Sequence, residues 1–364
     1  MNYNSDEESE DSDLCLADML GLPMNEMDGS LFQEEEKTIS ISEEEEGTDA
    51  NFLRSEILDS LDSNALEFPS ELMNRLVEES MDTDEAQSIY ANESIYMFPK
   101  ELSIPKNLMR RITNELVHGG SKYPSDKSYE TIKFFRKGDE TISERRELTR
   151  FENFVNTHET WKRLCNDYIA PCISTLCGEE MVLFKEKLNL KPSGGSGFAP
   201  HLDGPSLEVA LGEDGPSYFV TVMVAIDDMT EKNGCLKVCK GNFTKDNHVE
   251  VIIPEQGADP DAAGRAGAIE AEIAEKLMFD SIICKGGDIA AFNAWAPHRS
   301  SQNNSLFDRR AVFLTYTPLK DGDYHDMYYN SMKKKRDDFK NKMVEQRRCD
   351  HQSELDALKS IPKI

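Results

Sequence analysis

Phe219-Val220-Thr221-Val222-Met223-Val224-Ala225-Ile226, closed by Asp227-Asp228, is the stretch that settles how this chain folds. Its β-branched residues favour an extended backbone. Because successive side chains of a strand point to opposite faces, apolar residues at both parities require cover on both sides. The stretch therefore reads as a central sandwich strand. Downstream, Lys232-Asn233-Gly234 reads as a turn into Cys235-Leu236-Lys237-Val238, and His248 to Ile253 reads as a further strand. Residues 254–280 read as an insertion with a helix at Ala268 to Leu277, after which strand signals return at Ser281 to Cys284, Asp288 to Phe292 and Arg310 to Tyr316. Upstream, Met181 to Phe184 starts an apolar strand, and a Pro-Ser-Gly-Gly-Ser-Gly loop leads to Ala199-Pro200-His201-Leu202-Asp203. Many short strands separated by turns predict a mainly β fold with flanking helices, a sandwich or barrel rather than a βαβ sheet.

Further upstream, Trp161, Leu164, Cys165, Tyr168, Ile169, Cys172, Ile173 and Leu176 recur at three and four residues, one buried helix face. Pro171 is expected to kink this helix and Gly178 to end it. Past Asp321 a Tyr-rich loop is expected, then a charged helix from Ser331 to about Leu358. The first 100 residues hold 28 Asp and Glu against Lys37, Arg54, Arg75 and Lys100, a local charge of −24 out of −28 for the 364-residue chain. Such a segment repels itself and buries little, so residues 1–97 read as an acidic, largely disordered extension. Two apolar interruptions, Leu14 to Leu20 and Phe52 to Leu61, fit either transient helix in a solvated tail or a docking peptide for a protein partner. Residues 98–340 then form the folded domain and 341–364 a charged C-terminal helix.

The remaining residues carry 41 acids and 37 bases, no surplus with which to displace counterions, so nucleic-acid binding is not expected. No apolar run approaches the roughly 18 residues of a spanning helix. The chain opens on Asp and Glu rather than a basic stretch before an apolar one, so no secretory signal is expected. None of the eight cysteines forms a Cys-x-x-Cys pair, and they read as reduced thiols of a cytoplasmic protein.

Chemistry points to few residues. His201 and Asp203, two apart on a strand, can face one ion together, and His298, at the end of a strand signal, can supply a third ligand. Two imidazoles and a carboxylate on one face of an octahedron leave three positions open, the arrangement of non-haem Fe(II) oxygenases. Arg309 follows His298 by 11 residues, a spacing at which a hairpin returns its fork along the pocket, where it suits a carboxylate. Ser300 shares the face of His298. His248-Val249-Glu250 offers a competing pair, disfavoured because Val251 to Ile253 continue it as a packing strand. Trp295 and Phe198 are candidate pocket walls.

Leu183 to Pro192, Gly197 to Asp203, Asn233-Gly234-Cys235-Leu236, Gly287-Asp288-Ile289 and His298-Arg299-Ser300 through Arg309-Arg310-Ala311 together resemble the phytanoyl-CoA dioxygenase family over about residues 98–340. The resemblance implies a double-stranded β-helix (jelly roll, cupin-like), with Fe(II) on His201, Asp203 and His298. It also implies 2-oxoglutarate as co-substrate, its distal carboxylate on Arg309 beside Ser300. Dioxygen is consumed, succinate released and a small molecule hydroxylated, with ascorbate a useful reductant; halogenating relatives lack a carboxylate at the place of Asp203. Lys187 is grouped with Arg309 and Ser300 at the co-substrate. Lys185, Lys187, Lys191, Arg299 and Arg310 cluster around the motifs and favour an anionic substrate, acyl-CoA-like or aminophosphonate-like, or else only balance local acids. Two departures, Cys239-Lys240-Gly241-Asn242 after the turn and Leu202 between the first two ligands, bear on substrate contacts. The competing expectation is a non-catalytic metal-binding β-sandwich that serves as an interaction module through its acidic tail.

Overall fold

The computed structural model of the chain describes residues 49–62, 68–135, 142–211, 215–252 and 266–359. The expected disorder before residue 49, with the Leu14 to Leu20 stretch, lies outside the described residues, as does 253–265. The chain divides into two units, Met1–Glu46 with Thr131–Arg146 and Gly47–Glu130 with Glu147–Ile364. What is described of the first is the outer length of two strands, where Lys133 and Glu144 pair at 3.1 Å. The second holds the core.

The elements in chain order are α1 (Asp49–Asp62), α2 (Ser70–Ser80), α3 (Thr83–Glu93), β1 (Ile95–Met97), α4 (Lys106–His118), β2 (Asp126–Phe135), β3 (Ile142–Glu152), α5 (Glu159–Arg163), α6 (Ala170–Cys177), β4 (Met181–Lys191) and β5 (Phe198–His201). There follow α7 (Gly204–Leu211), β6 (Val220–Ala225), β7 (Leu236–Val238), α8 (Ala271–Ala274), β8 (Asp280–Ser281), β9 (Ile289–Asn293), β10 (His298–Ser300), β11 (Arg309–Pro318) and α9 (His325–Lys359). The strands form two sheets, ordered β1-β9-β6-β11-β4-β3-β2 and β5-β10-β7-β8. This is the expected jelly-roll architecture with flanking helices.

Strand β6 is buried along its whole length, as its sequence requires. Val220, Val222 and Val224 face a helical layer, while Met223 and Ala225 face the second sheet. Its neighbour β11 divides in the same way, Val312, Leu314 and Tyr316 toward the helices and Ala311 toward the sheet. Between β11 and β4 the register slips by one residue, Thr315 opposite Lys185 but Tyr316 opposite Leu183, so Phe184 is an extra residue in a β-bulge.

The helical layer corrects the expected boundary at residue 98. Leu53, Ile57 and Leu61 of α1 and Met73, Leu76 and Val77 of α2 belong to the same buried cluster as Trp161, Tyr168 and Val222. Arg54 donates to Ser103 O at 2.6 Å. The apolar spacing of Phe52 to Leu61 is core, not a turn or two in a solvated tail. At Pro171 there is no break: α5 passes through a π-helical segment, Leu164–Ile169, into α6, where Pro171 occupies the first turn. The wider π turn before it, in which Ala170 N donates to Cys165 O, accommodates a residue that has no N–H to add to the ladder. The strand expected at His248 to Ile253 is reduced to one bridge, Ile252 with Ala268, and the helix expected at Ala268 to Leu277 to Ala271–Ala274.

The Tyr-rich loop is instead the first turn of α9, because its tyrosines have buried partners. Glu186 accepts hydrogen bonds from Phe154 N and Val155 N (2.8 and 2.9 Å), from Tyr329 Oη (3.1 Å) and from His325 Nε2 (2.8 Å). Burial alone would lower the His325 imidazole, but the Glu186 carboxylate outweighs it and holds the pKa above the ordinary value.

Ile57→Ala is expected to destabilise the fold by about 2–5 kcal/mol in denaturant titrations, the cost of a core cavity. Since the folded-state pKa of His325 is raised, its contribution is full below the unfolded value and fades as pH rises through the folded one. His325→Gln should therefore cost more stability at pH 6 than at pH 9 in melts of wild type and variant.

Candidate metal centre and its pocket

Strand β10 pairs with β5 so that His298 lies directly across from His201, their ring centroids 4.1 Å apart. Asp203, just past the end of β5, reaches both: its Oδ1 is 3.8 Å from His201 Nε2 and its Oδ2 3.7 Å from His298 Nε2. The three donor atoms lie within 4.8 Å of one another. Each imidazole turns Nδ1 to a backbone carbonyl, His201 to Ala199 O at 2.7 Å and His298 to Ala296 O at 3.0 Å. With Nδ1 donating, the lone pair sits on Nε2, facing Asp203. Thr221 of β6 donates to Asp203 Oδ2 at 3.1 Å and fixes the carboxylate plane.

Burial and the neighbouring His298 push the His201 imidazole down to about 3, which keeps it neutral. Burial alone would raise Asp203, but His298, Lys187 and His201 outweigh it and hold the carboxyl well below its ordinary range. A neutral imidazole and an ionised carboxylate bind a metal without first releasing a proton. The set of two nitrogens and one oxygen suits iron, manganese or zinc by donor type, and one-sided placement suits non-haem iron.

The triad opens into a pocket of about 420 Å³, its mouth included, also lined by Lys187, Ser300 and Arg309. The six residues expected at the metal and the co-substrate thus line one cavity. Arg309 is only 2% exposed and donates through one terminal nitrogen to Gly234 O. Its Nε is buried without a partner. Gly234 has φ +72°, and a Cβ there would stand 2.2 Å from Ser301 O, so glycine alone fits this turn. Lys191 donates to Ser300 Oγ (2.8 Å), Ser301 O (2.7 Å) and Gly234 O (3.3 Å). Phe198 N also donates to Ser300 Oγ, which leaves the serine hydroxyl hydrogen free to donate into the pocket. Burial and the adjacent Arg309 bring Lys191 down to about 7, while burial brings Arg309 only to about 10, so the guanidinium is charged at neutral pH.

Other expectations separate. Phe198 lines the pocket, but Trp295 does not: it stacks with His248 at 4.7 Å and packs over Gly204. His248 is exposed and belongs to no ligand cluster among the described residues. Arg310 faces away, its fork on Asp227 at 2.7 and 3.0 Å and on Asn114 at 2.9 Å. Lys185 donates to Tyr328 Oη at 2.6 Å. Sequence reasoning passed over Thr221 and Asn189; the latter lines the pocket with a buried, unpartnered Oδ1. The signal for Asn189 was present, because Lys187, Asn189 and Lys191 alternate with Leu188 and Leu190 along the strand.

The family profile described as phytanoyl-CoA dioxygenase (PhyH) matches residues 111–311, which include the triad and Arg309. A 2-aminoethylphosphonate dioxygenase from uncultured bacterium HF130_AEPn_1 is 36% identical over 205 residues, covering 56% of this chain and 71% of the relative. A methylphosphonate hydroxylase from Gimesia maris is 33% identical over 161 residues, covering 44% and 55%. Among solved structures, EctD from S. alaskensis with 2-oxoglutarate and 5-hydroxyectoine aligns at TM-score 0.46 and 18% identity, over 66% of this chain and 78% of that one.

Thr221→Val removes the hydrogen bond that orients Asp203 and leaves the donors in place. Metal affinity should fall about 10–100-fold, the usual effect of losing such a partner, in chelator competition.

Proposed function

The chain belongs to the phytanoyl-CoA dioxygenase family, and from that premise we propose how its pocket is used. The protein is a non-haem iron, 2-oxoglutarate-dependent dioxygenase. In the proposed assignment His201, Asp203 and His298 hold Fe(II), and Arg309 with Ser300 holds the distal carboxylate of 2-oxoglutarate. The substrate is a small anionic molecule, a short phosphonate by likeness to the two bacterial relatives.

The single observation that carries this reading is the orphaned Arg309 Nε, buried beside Ser300 at one end of the cavity whose wall holds the triad. A buried donor left unmet costs about 1–3 kcal/mol, so a purely structural metal leaves the arginine unexplained. A carboxylate resolves it, taking two charge-assisted hydrogen bonds from the fork and a third from the Ser300 hydroxyl.

When bound, iron and 2-oxoglutarate couple dioxygen to hydroxylation of the substrate, with succinate and carbon dioxide as the other products. The chain's own residues bind and orient. His201 and His298 keep their Nε2 lone pairs available through the carbonyls that hold Nδ1, and Thr221 keeps Asp203 turned toward them. Phe198 and Phe313 line the cavity with apolar surface and limit water near the reacting atoms. The setting proposed is the reducing cytoplasm, with ascorbate as accessory reductant. In support, Cys165, Cys172, Cys177, Cys235, Cys239 and Cys284 are free thiols, and among the described residues no helix is long and apolar enough to cross a membrane.

Titrating the anaerobic Fe(II) protein with 2-oxoglutarate should develop a visible charge-transfer band, and admitting air with a phosphonate should release succinate. Arg309→Gln should raise the 2-oxoglutarate requirement roughly 10–100-fold, the worth of a charge-assisted pair, with the melting temperature little changed. A wild-type protein that gives neither band nor succinate overturns the assignment.

A further inference from the structure

Strand β4 sends Lys185, Lys187, Asn189 and Lys191 to one face, and two of its three lysines are satisfied. Lys185 has Tyr328 and Glu152, and Lys191 has Ser300, Ser301 and Gly234. Lys187 makes no hydrogen bond and no ion pair among the described residues, although it lines the metal pocket. Its register neighbour on one side is Glu152, the natural counter-ion, but that carboxylate is shared by Lys185 at 3.7 Å, Arg150 at 4.0 Å and Arg336 at 3.6 Å. Its neighbour on the other side is Phe313, over whose ring its Nζ lies at 5.7 Å. Asp203 acts on it through space but does not come within ion-pair distance, and a half-buried ammonium without a close anion points to a partner that arrives with a ligand.

The co-substrate does not require it. Arg309 pairs in register with Lys191, and Lys187 stands four residues further along, about 13 Å at the ordinary strand rise. The distal carboxylate therefore has its cations at the far end, and the proximal carboxylate has the metal. Between the two ends Asn189 lines the same pocket, and its amide nitrogen, not the unpartnered Oδ1, is the donor an anion would take. Arg150, opposite Asn189 in register and 5.8 Å over the Phe198 ring, adds a second cation on the Lys187 side.

Resting on the iron and 2-oxoglutarate assignment above, we infer that Lys187, with Asn189 and Arg150 around it and Phe313 beneath, is the subsite for the substrate's anionic group, a tetrahedral phosphorus oxyanion on a short alkyl chain. This takes Lys187 away from the co-substrate, where its sequence neighbourhood had put it. Three oxygens at tetrahedral angles can accept from an ammonium, a guanidinium and a side-chain amide at once, more donors than a planar carboxylate meets in the same space. Phe313 gives the alkyl chain an apolar bed. Lys187 is thus a specificity determinant, and the phosphorus group sets which carbon lies nearest the iron.

The test compares wild type, Lys187→Met and Lys187→Arg as anaerobic Fe(II) proteins. Binding of 2-aminoethylphosphonate, its phosphate-ester counterpart ethanolamine phosphate and its carboxylate counterpart β-alanine is measured by calorimetry and, for the phosphorus compounds, by 31P line broadening. Lys187→Met should weaken binding of the phosphorus ligands by about tenfold or more while 2-oxoglutarate affinity moves less than about twofold, and Lys187→Arg should restore most of the loss. In turnover, KM for the phosphonate should rise further than kcat falls. Preference for the phosphonate or for the ester identifies which compound the site takes, and either supports the subsite. If Lys187→Met weakens 2-oxoglutarate instead, or leaves the phosphorus ligands unchanged while wild type still shows the charge-transfer band, the subsite is wrong and the dioxygenase assignment stands. Equal binding of β-alanine with the same dependence on Lys187 overturns the choice of phosphorus. Loss of the band in wild type overturns the underlying assignment itself.

Discussion

The antiparallel pairing of β5 with β10 is the constraint on which the site depends. It sets His201 opposite His298 within a sheet, where backbone hydrogen bonds rather than side-chain preference fix the separation. Asp203 lies beyond the paired residues and is held from the other sheet by Thr221. The candidate metal-binding face is thus built across both sheets, and the apolar cluster of Met223, Ala225, Val238 and Phe292 keeps them in place. Each imidazole is oriented by the carbonyl two residues before it, a local device that needs no distant partner.

Electrostatically the pocket is lopsided. Lys187, Arg299 and Arg309 line it, Lys191 stands behind Ser300, and Asp203 is the one carboxylate among the lining residues. Where β4 leaves that pocket, its charges are met: Glu186 is saturated by four donors, and Lys185 has its tyrosine. Two buried polar atoms without a partner, Arg309 Nε and Asn189 Oδ1, belong to residues of the cavity wall. The guanidinium Nε is a buried, charged donor left open at the pocket, which suits an incoming anion, whereas the amide oxygen is an acceptor and calls for a donor.

Legibility followed the range of the forces involved. Strand β6 could be read from its own residues because both faces are apolar, and His201 with Asp203 because a two-residue spacing fixes a common face. Arg309 and Ser300 needed their spacing from His298 and the family resemblance. Helices α1 and α2 were hidden by charge: Leu53, Ile57 and Leu61 stand among acids and serines, and what makes them core is a surface built by Trp161 and Tyr168 a hundred residues later. Arg310 and Arg309 are adjacent and chemically alike, yet strand alternation sends one to Asp227 and the other to the pocket. Lys187 could be placed near the motifs but not at one end of the cavity, because that required the register against Phe313. The strand expected at His248 failed since apolar content alone supplies no ladder partner.

The additional residue at Phe184 governs more than local geometry. Met181 and Leu183, at odd positions, join the helical core, and after the bulge it is the even positions Leu188 and Leu190 that do so, which turns Lys187 and Asn189 inward. Take away that one residue and the phase of the strand inverts, so that ammonium and amide would be thrust among the helices and leucines into the cavity. Along this strand, evolution can exchange side chains more cheaply than it can alter the count.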